Sequence, residues 1–400
     1  MMAPTPEIIK KNKRIYILSS IFYYIAILSF NGIIQQTFLY SIGFSKTQIY
    51  IHSTIMQAVS MGVLLLLSGF ADKSILKRFF ICTFIFGLSY GAYIPLCFID
   101  TAKSFAFILL ISTVIIQAVT DSLYTVCSYK IPYLIFPPND YGMVTAIIGI
   151  ITSAISFSIG FVMTALSGVF TYREMMPLIF VISGIFMVVA SLLNKSFVII
   201  YEDIGDKKEK QVNIFSVFKE PVFYLLAPAN IMRGFTMGVI NVLAVIAADD
   251  LQYSAQITTS MVSVQALAVV LSCLVFGVTS AKINPKHHIF IGSLSTLILP
   301  LLLINDAPYL FIVLYFFIMF GKTFVDYGIP ASLRYAVRSN IAGPYNAWRM
   351  AFTYFGSILA TTTGVLVSTK ALIIAAVALQ LIAGSMYFFN RFMKISSYLD

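Results

Sequence analysis

Long apolar runs alternate with short polar segments along the whole chain. Twelve of these runs approach or exceed the about 20 residues an α-helix needs to cross a bilayer. They lie at approximately 15–42, 47–70, 79–99, 104–129, 142–168, 175–194, 222–248, 254–280, 288–304, 307–332, 344–368 and 371–393. Several are longer than a straight crossing requires, which predicts tilted helices. The longest stretch of low hydrophobicity, NKSFVIIYEDIGDKKEKQVNIFSVFKEP at 194–221, separates six spans from six. The expected architecture is an all-α integral membrane protein. It has one six-helix bundle over 1–193, a cytoplasmic central loop over 194–221 and a second six-helix bundle over 222–400. The first run follows a basic tail, is too long for a signal-peptide core and lacks a small-residue cleavage pattern, so it reads as a span.

Composition agrees with this pattern. The chain is 59% hydrophobic and 10% charged, against about 25% charged in ordinary soluble domains. Of the 26 basic residues, four (Lys46, Lys103, Arg173 and Lys370) fall in outer loops and three (Arg233, Lys322 and Arg349) fall within spans. The other 19 lie in inner segments when the N-terminus is placed in the cytoplasm. The positive-inside rule therefore predicts a multi-pass protein of the cytoplasmic membrane with both termini cytoplasmic. It also accounts for the net charge of +10, so no nucleic-acid partner is implied. The cysteines Cys82, Cys97, Cys127 and Cys273 sit within or at the ends of spans, without metal-type spacing, and read as small buried hydrophobes.

The halves carry a faint repeat. At an offset of 208 residues, Gln48, Gln57 and Gly69 match Gln256, Gln265 and Gly277, and Ile49 and Ile81 match Ile257 and Ile289. A six-plus-six duplication is the architecture of alternating-access transporters, whose substrate sites lie near the midplane between repeats. Between spans two and three runs GFADKSILKR, residues 69–78, with Asp72, Lys73, Lys77 and Arg78. This loop resembles the signature loop of the major facilitator superfamily, and GVTSAKINPKHH at 277–288 resembles a weaker copy of it. The match departs from the family pattern at Ile75 and Leu76, and its glycine stands three residues before Asp72 instead of four. The resemblance implies the superfamily's fold of two pseudo-symmetric six-helix bundles. It also implies a gating role for Asp72, Lys73, Lys77 and Arg78, with Asp72 facing the start of span eleven. A carboxylate gains about 0.3–1 kcal/mol beside a helix N-terminus. The competing reading is that Asp72 and Lys73 only cap a tight turn. The segment KIPYL at 130–134 faintly resembles sugar–cation symporters. Span five lacks the Gly-Pro motif of the superfamily's drug–proton antiporters.

Charges at membrane depth cost about 2.5–3.5 kcal/mol or more at a helix centre unless paired or wetted, so those present are functional candidates. They are Asp121, Arg233, Lys322, Asp326 and Arg349. Polar residues at helical spacing mark the inward faces. Asn31 and Gln35 align in span one, Gln117, Asp121, Tyr124 and Ser128 in span four, and Asn230, Arg233, Met237 and Asn241 in span seven. Lys322 and Asp326 align in span ten, and Tyr345, Arg349 and Thr353 in span eleven. The expected substrate-binding set is Asn31, Gln35, Gln117, Tyr124, Asn230, Arg233, Asn241, Lys322 and Arg349. Asp326 comes first and Asp121 second as ion-coupling groups. Polar stripes also glue membrane helices together, which is the competing reading for Gln57, Gln265 and Arg233. Lys322 and Asp326 either pair with each other, or Asp326 pairs with Arg233 or Arg349 and leaves Lys322 for a substrate anion. Gly321, Gly328 and Pro330 bracket the pair and predict a flexing span ten.

The functional expectation is a secondary active transporter of a small polar solute, sugar-like or an organic anion, coupled to protons or sodium or working as a uniporter. It is expected to act as a monomer in the lipid bilayer and to need no cofactor. No phosphate-binding loop accompanies the spans. Alternatives are an efflux pump or lipid flippase and, from another class, a non-transporting membrane receptor or subunit. An enzyme is not expected, because His52, His287 and His288 sit at span ends or in loops, without a nucleophile or metal constellation.

Overall fold

The computed structural model describes residues 6–30, 32–67, 75–101, 104–136, 138–200, 214–279, 283–304, 307–336 and 342–389. All the regular elements among them are helical. The N-terminal half contains α1 (Pro6–Leu28), α2 (Gly32–Ser41), α3 (Lys46–Leu67), α4 (Ile75–Gly91), α5 (Ser104–Ile135), α6 (Pro138–Ser167) and α7 (Tyr172–Asn194). The C-terminal half contains α8 (Pro221–Asn241), α9 (Leu243–Asp249), α10 (Ala255–Thr279), α11 (Pro285–Leu294), α12 (Pro308–Ala336), α13 (Ala342–Leu366) and α14 (Thr369–Phe388). Pro6, Pro138, Pro221, Pro285 and Pro308 each open a helix, where the missing N–H is not needed and the fixed φ suits the first turn. Thr171 and Glu174 form a capping box at the start of α7, and Ser368 caps α14.

Among the described residues, ten helices, with α1–α2 taken as one, are long and apolar enough to cross a membrane, and the bent pair α8–α9 makes an eleventh. The twelfth expected span is α13, 25 residues long. It is less apolar because much of it packs against protein, with Ser357 and Thr361 buried. Large apolar side chains such as Ile150, Phe161, Leu178, Leu274 and Val278 stand exposed on the outer faces of α6, α7 and α10. Such a belt suits lipid and not water, and the protein is a multi-pass membrane protein.

The two halves break their helices at corresponding places. Span one is interrupted between Leu28 and Gly32, and span seven bends by 41° between α8 and α9. Spans three and nine both end in 3₁₀ turns, Ile94–Cys97 and Ser295–Leu303. The halves meet along two seams, α3 against α13 and α6 against α10. Gly160 of span five bears on the second seam, where a side chain would run into the backbone nitrogen of Ser263, 2.6 Å away.

Span ten differs from the sequence expectation. Helix α12 continues without a break through Gly321, Gly328 and Pro330. Both glycines lie against span nine, where a Cβ at Gly321 would come within 2.9 Å of the Gly292 carbonyl oxygen. In this state they let two helices approach closely.

An even closer approach joins α8 and α13. A Cβ on Gly234 would stand 2.2 Å from the Thr353 carbonyl oxygen, and one on Gly356 would stand 2.0 Å from that of Ile231. The obstacles are backbone on both sides, so no side chain can move aside. Gly356→Ala is expected to cost about 1–3 kcal/mol by overpacking, seen as a lower thermal midpoint and folded yield. A wild-type midpoint would show that the helices can separate freely.

Candidate functional site

A cavity of about 400 Å³ lies between the halves. Leu28, Gly32, Ile33 and Gln36 line it beside the break in span one, and Ile240 and Asn241 line it beside the bend in span seven. Interrupted helices at matching positions of two repeats place backbone and polar side chains at membrane depth, the usual setting of a transport site. Gln57 from α3 and Gln265 from α10 face the same space. These are the in-phase glutamines of the sequence repeat, now on opposing walls. Ser53, Ser60, Asp121 and Ser156 add polar groups from the N-terminal half, and Tyr315, Lys322 and Tyr354 add them from the C-terminal half.

On α12, Tyr315, Met319, Lys322 and Asp326 fall on one stripe at helical spacing, and the first three reach the cavity. Tyr315 donates to Gln265 Oε1 at 3.2 Å. Asp326 resolves the alternatives left open by its spacing, because it pairs twice. One carboxylate oxygen accepts from Arg233 of α8, and the other accepts from Lys322 Nζ at 2.8 Å. The trio encloses a void of about 10 Å³ with Thr236, Thr296 and Gln380, near the least volume that holds a water molecule. Arg233 is only 6% exposed, and its Nε has no hydrogen-bond partner. Its contacts lie within the C-terminal half, and Lys322 is the member of the trio that reaches the main cavity.

Arg349 lies elsewhere. Its Nε donates to Asn346 Oδ1 at 3.3 Å, one turn away on α13, and it does not line the cavity. The charged wall residues with their ion-pair partner are therefore Asp121, Lys322, Asp326 and Arg233, balanced in sign. Of the three cations expected at membrane depth, Arg349 is the one placed away from the cavity.

In the N-terminal half, Asp121 lines the cavity with the Tyr23 hydroxyl beside it. Among the described residues it has no ion-pair partner. Gln35 and Gln117 do not line the cavity. Gln35 Nε2 lies 3.2 Å from the Tyr93 hydroxyl and 3.4 Å from both Gln117 Oε1 and His52 Nε2, inside the bundle. Gln36, one position on, lines the cavity and donates from Nε2 to the Asn241 carbonyl. Adjacent helical residues point about 100° apart, and the break before Gly32 sets which of the two turns inward. Tyr124 stacks on Tyr23, with ring centroids 4.0 Å apart. Asn230 accepts from the Tyr387 hydroxyl at 2.9 Å and donates to Leu226 O. Both are internal packing contacts. Asn241 lines the cavity. Asn31, Asp72 and Lys73 lie outside the described residues, while Lys77 and Arg78 are exposed near the start of α4. The sequence signal for the missed residues was the in-phase pair Gln57 and Gln265 and the Tyr315–Met319–Lys322 stripe.

One loop end of the cavity is sealed by bonds between the halves. Lys46 Nζ grips both carboxylate oxygens of Asp250, at 2.7 and 2.6 Å, and Thr369 at 2.9 Å. Thr369 in turn donates to Asp250 at 2.7 Å. Tyr40 donates to Asp249 at 3.2 Å. Beneath them, Thr37 meets Thr258 and Tyr172 meets Thr259. On the α3–α13 seam, Thr54 and Thr361 bond at 2.6 Å.

The sequence matches no protein-family model and no curated protein. Its likeness to solved structures spans nearly the whole chain. A bacterial homologue of the iron transporter ferroportin, in an inward-facing state, has a TM-score of 0.71, covering 96% of this chain and 98% of its own at 12% identity. A mutant of the nucleoside transporter NupG has a TM-score of 0.71, covering 94% of this chain and 100% of its own at 13% identity. A D-xylose–proton symporter has a TM-score of 0.72, covering 95% and 97% at 11% identity. The chain has the major facilitator fold of two helical bundles.

Proposed function

We propose that the protein is a secondary active transporter that moves a small polar solute across the cytoplasmic membrane by alternating access. The observation that carries this reading is the cavity of about 400 Å³ walled by both halves and sealed at one loop end. Its size falls within the about 300–1,000 Å³ usual for small-molecule sites. Interfaces between packed bundles are bistable, so loosening the seal while closing the opposite end would expose the same wall to the other side. By the charge bias of the loops, the sealed end faces outward and both termini face the cytoplasm. The structure then corresponds to an inward-facing state.

The balanced charge around the cavity favours a solute without net charge, which supports the sugar-like reading over the organic anion. A lipid flippase or a pump for lipophilic drugs is less well served by a wall of glutamines, serines and charges. The likeness to transporters supports a non-enzymatic role. Coupling to a proton is placed first on Asp326, whose carboxylate is shared by two cations. The Asp72 loop keeps its proposed gating role: Asp72→Asn should impair transport and leave solute binding intact.

Reconstitution into liposomes tests the reading. A panel of radiolabelled sugars, carboxylates and amino acids is offered with and without an inward proton gradient. At least one solute is expected to accumulate above equilibrium, and a protonophore should collapse that accumulation. Binding without entry of any solute would identify a receptor and overturn transport.

A further inference from the structure

The N-terminal wall of the cavity holds two amide oxygens without a partner among the described residues, and a carboxylate beside them. Gln36 is 5% exposed. Its Nε2 donates to the Asn241 carbonyl, which fixes the amide orientation and leaves Oε1 as an acceptor without a partner. Gln57 Oε1 is likewise buried and unpartnered. Asp121 adds a carboxylate with no ion-pair partner among the described residues. All three residues line the same cavity. Buried polar atoms are normally hydrogen-bonded, so exceptions call for a ligand or water. A half-buried carboxylate at membrane depth calls for more, because a charge there without an ion-pair partner is costly.

The opposing wall has the reverse character. Lys322 reaches the cavity with an ammonium that gives one hydrogen bond to Asp326 and has two further N–H groups. Gln265 Oε1 accepts from Tyr315, which leaves its Nε2 as a donor. The cavity is thus acceptor-rich on one side and donor-rich on the other.

We propose that the cavity takes a small zwitterion, with its protonated amine received by Asp121, Gln36 Oε1 and Gln57 Oε1, and its anionic end received by Lys322. An ammonium has three N–H donors and no acceptor, matching two unpartnered amide oxygens and the remaining acceptor capacity of the Asp121 carboxylate. A hydroxyl has a single donor and carries no charge to set against the Asp121 carboxylate. A zwitterion is neutral overall, consistent with the balanced charge of the site. The inference rests on the transporter reading and narrows its solute class.

The test uses the purified full chain in detergent and in liposomes, with glycine, alanine and serine as probes. N-acetylated forms of the same compounds remove the charged amine, and glucose, xylose and lactate represent the other classes. Zwitterions are expected to raise the thermal midpoint and to enter liposomes, while the acetylated forms do neither. Asp121→Asn is expected to weaken zwitterion binding at least tenfold. The acetylated pair tests the amine on the wild-type protein, so a poorly folding variant does not decide the matter. Uptake of a sugar or of lactate with none of a zwitterion would overturn this inference and leave transport standing. Binding of zwitterions without entry would overturn transport alone. No binding or entry of any probe would overturn both. Asp121→Asn that keeps zwitterion affinity and loses only proton-driven accumulation would make Asp121 a coupling group and overturn its role as an amine receptor.

Discussion

Asp326→Asn is expected to destabilise the protein by about 3–5 kcal/mol, the usual cost of breaking a buried pair from one side, and to abolish gradient-driven accumulation. The carboxylate is the partner of two cations, Arg233 and Lys322, so its loss leaves both uncompensated. Lys322→Met should have the opposite character. It leaves the Arg233–Asp326 pair intact and neutral, so the thermal midpoint should stay near wild type while uptake falls. Combining Asp326→Asn with Lys322→Met restores only part of the stability, because Arg233 remains buried without its anion. Thermal melts of the three variants, with accumulation and solute exchange measured in liposomes, separate the roles. If Asp326 carries the coupling proton, folded Asp326→Asn protein should still exchange solute across the membrane. Wild-type accumulation in that variant would remove Asp326 from the coupling step. Full rescue in the double variant would show the trio to be a strut.

Breaking the seal at Lys46 should shift the protein toward its other state. Lys46 and Asp250 come from different halves, and Thr369 is shared between them. A single exposed ion pair contributes only about 0–1 kcal/mol. This one is bidentate and joined to a third group, which places it near the upper end. About 1 kcal/mol corresponds to a roughly fivefold change in population. Thr258 lies beneath the seal, fully buried, so a Thr258→Cys reporter in a background lacking the native cysteines reads the opening. Lys46→Ala should speed its labelling from the outer face about fivefold without weakening solute affinity in the same proportion. Exchanging the charges, with Lys46→Asp and Asp250→Lys together, should slow it again. An unchanged labelling rate in Lys46→Ala would mean that the threonine layer alone holds the seal.

The class of the protein was legible from hydropathy alone. A bilayer has no water to satisfy backbone groups, so apolar runs of this length become helices wherever they occur. The repeat, the signature-like loop and the charge bias pointed to two bundles. The fold bears this out with broken helices in corresponding places and two matching seams. The alignment of Lys322 with Asp326, and the polar faces that carry Asp121 and Asn241, were also readable, because helical spacing is a local property.

Other features depended on tertiary packing. Spacing could offer Asp326 a partner on its own helix, but only the approach of α8 to α12 brought Arg233 to the same carboxylate. The choice between Gln35 and Gln36 turned on the helix break before Gly32, since adjacent residues face directions too different for one to stand in for the other. Arg349 counted as a cavity cation until the rotation of α13 placed it beside Asn346 on its own helix. Gly321 and Gly328 stand out in the sequence as helix breakers, and only the packing shows that they lie against span nine. The seal is the clearest case: Lys46 opens α3, Thr369 opens α14 and Asp250 follows α9, and nothing local distinguishes them. Sequence periodicity determined that helices form and which residues share a face. Which faces meet, and therefore which charges are paired and which acceptors are left waiting, is a property of two bundles packed together and had no local signature to read.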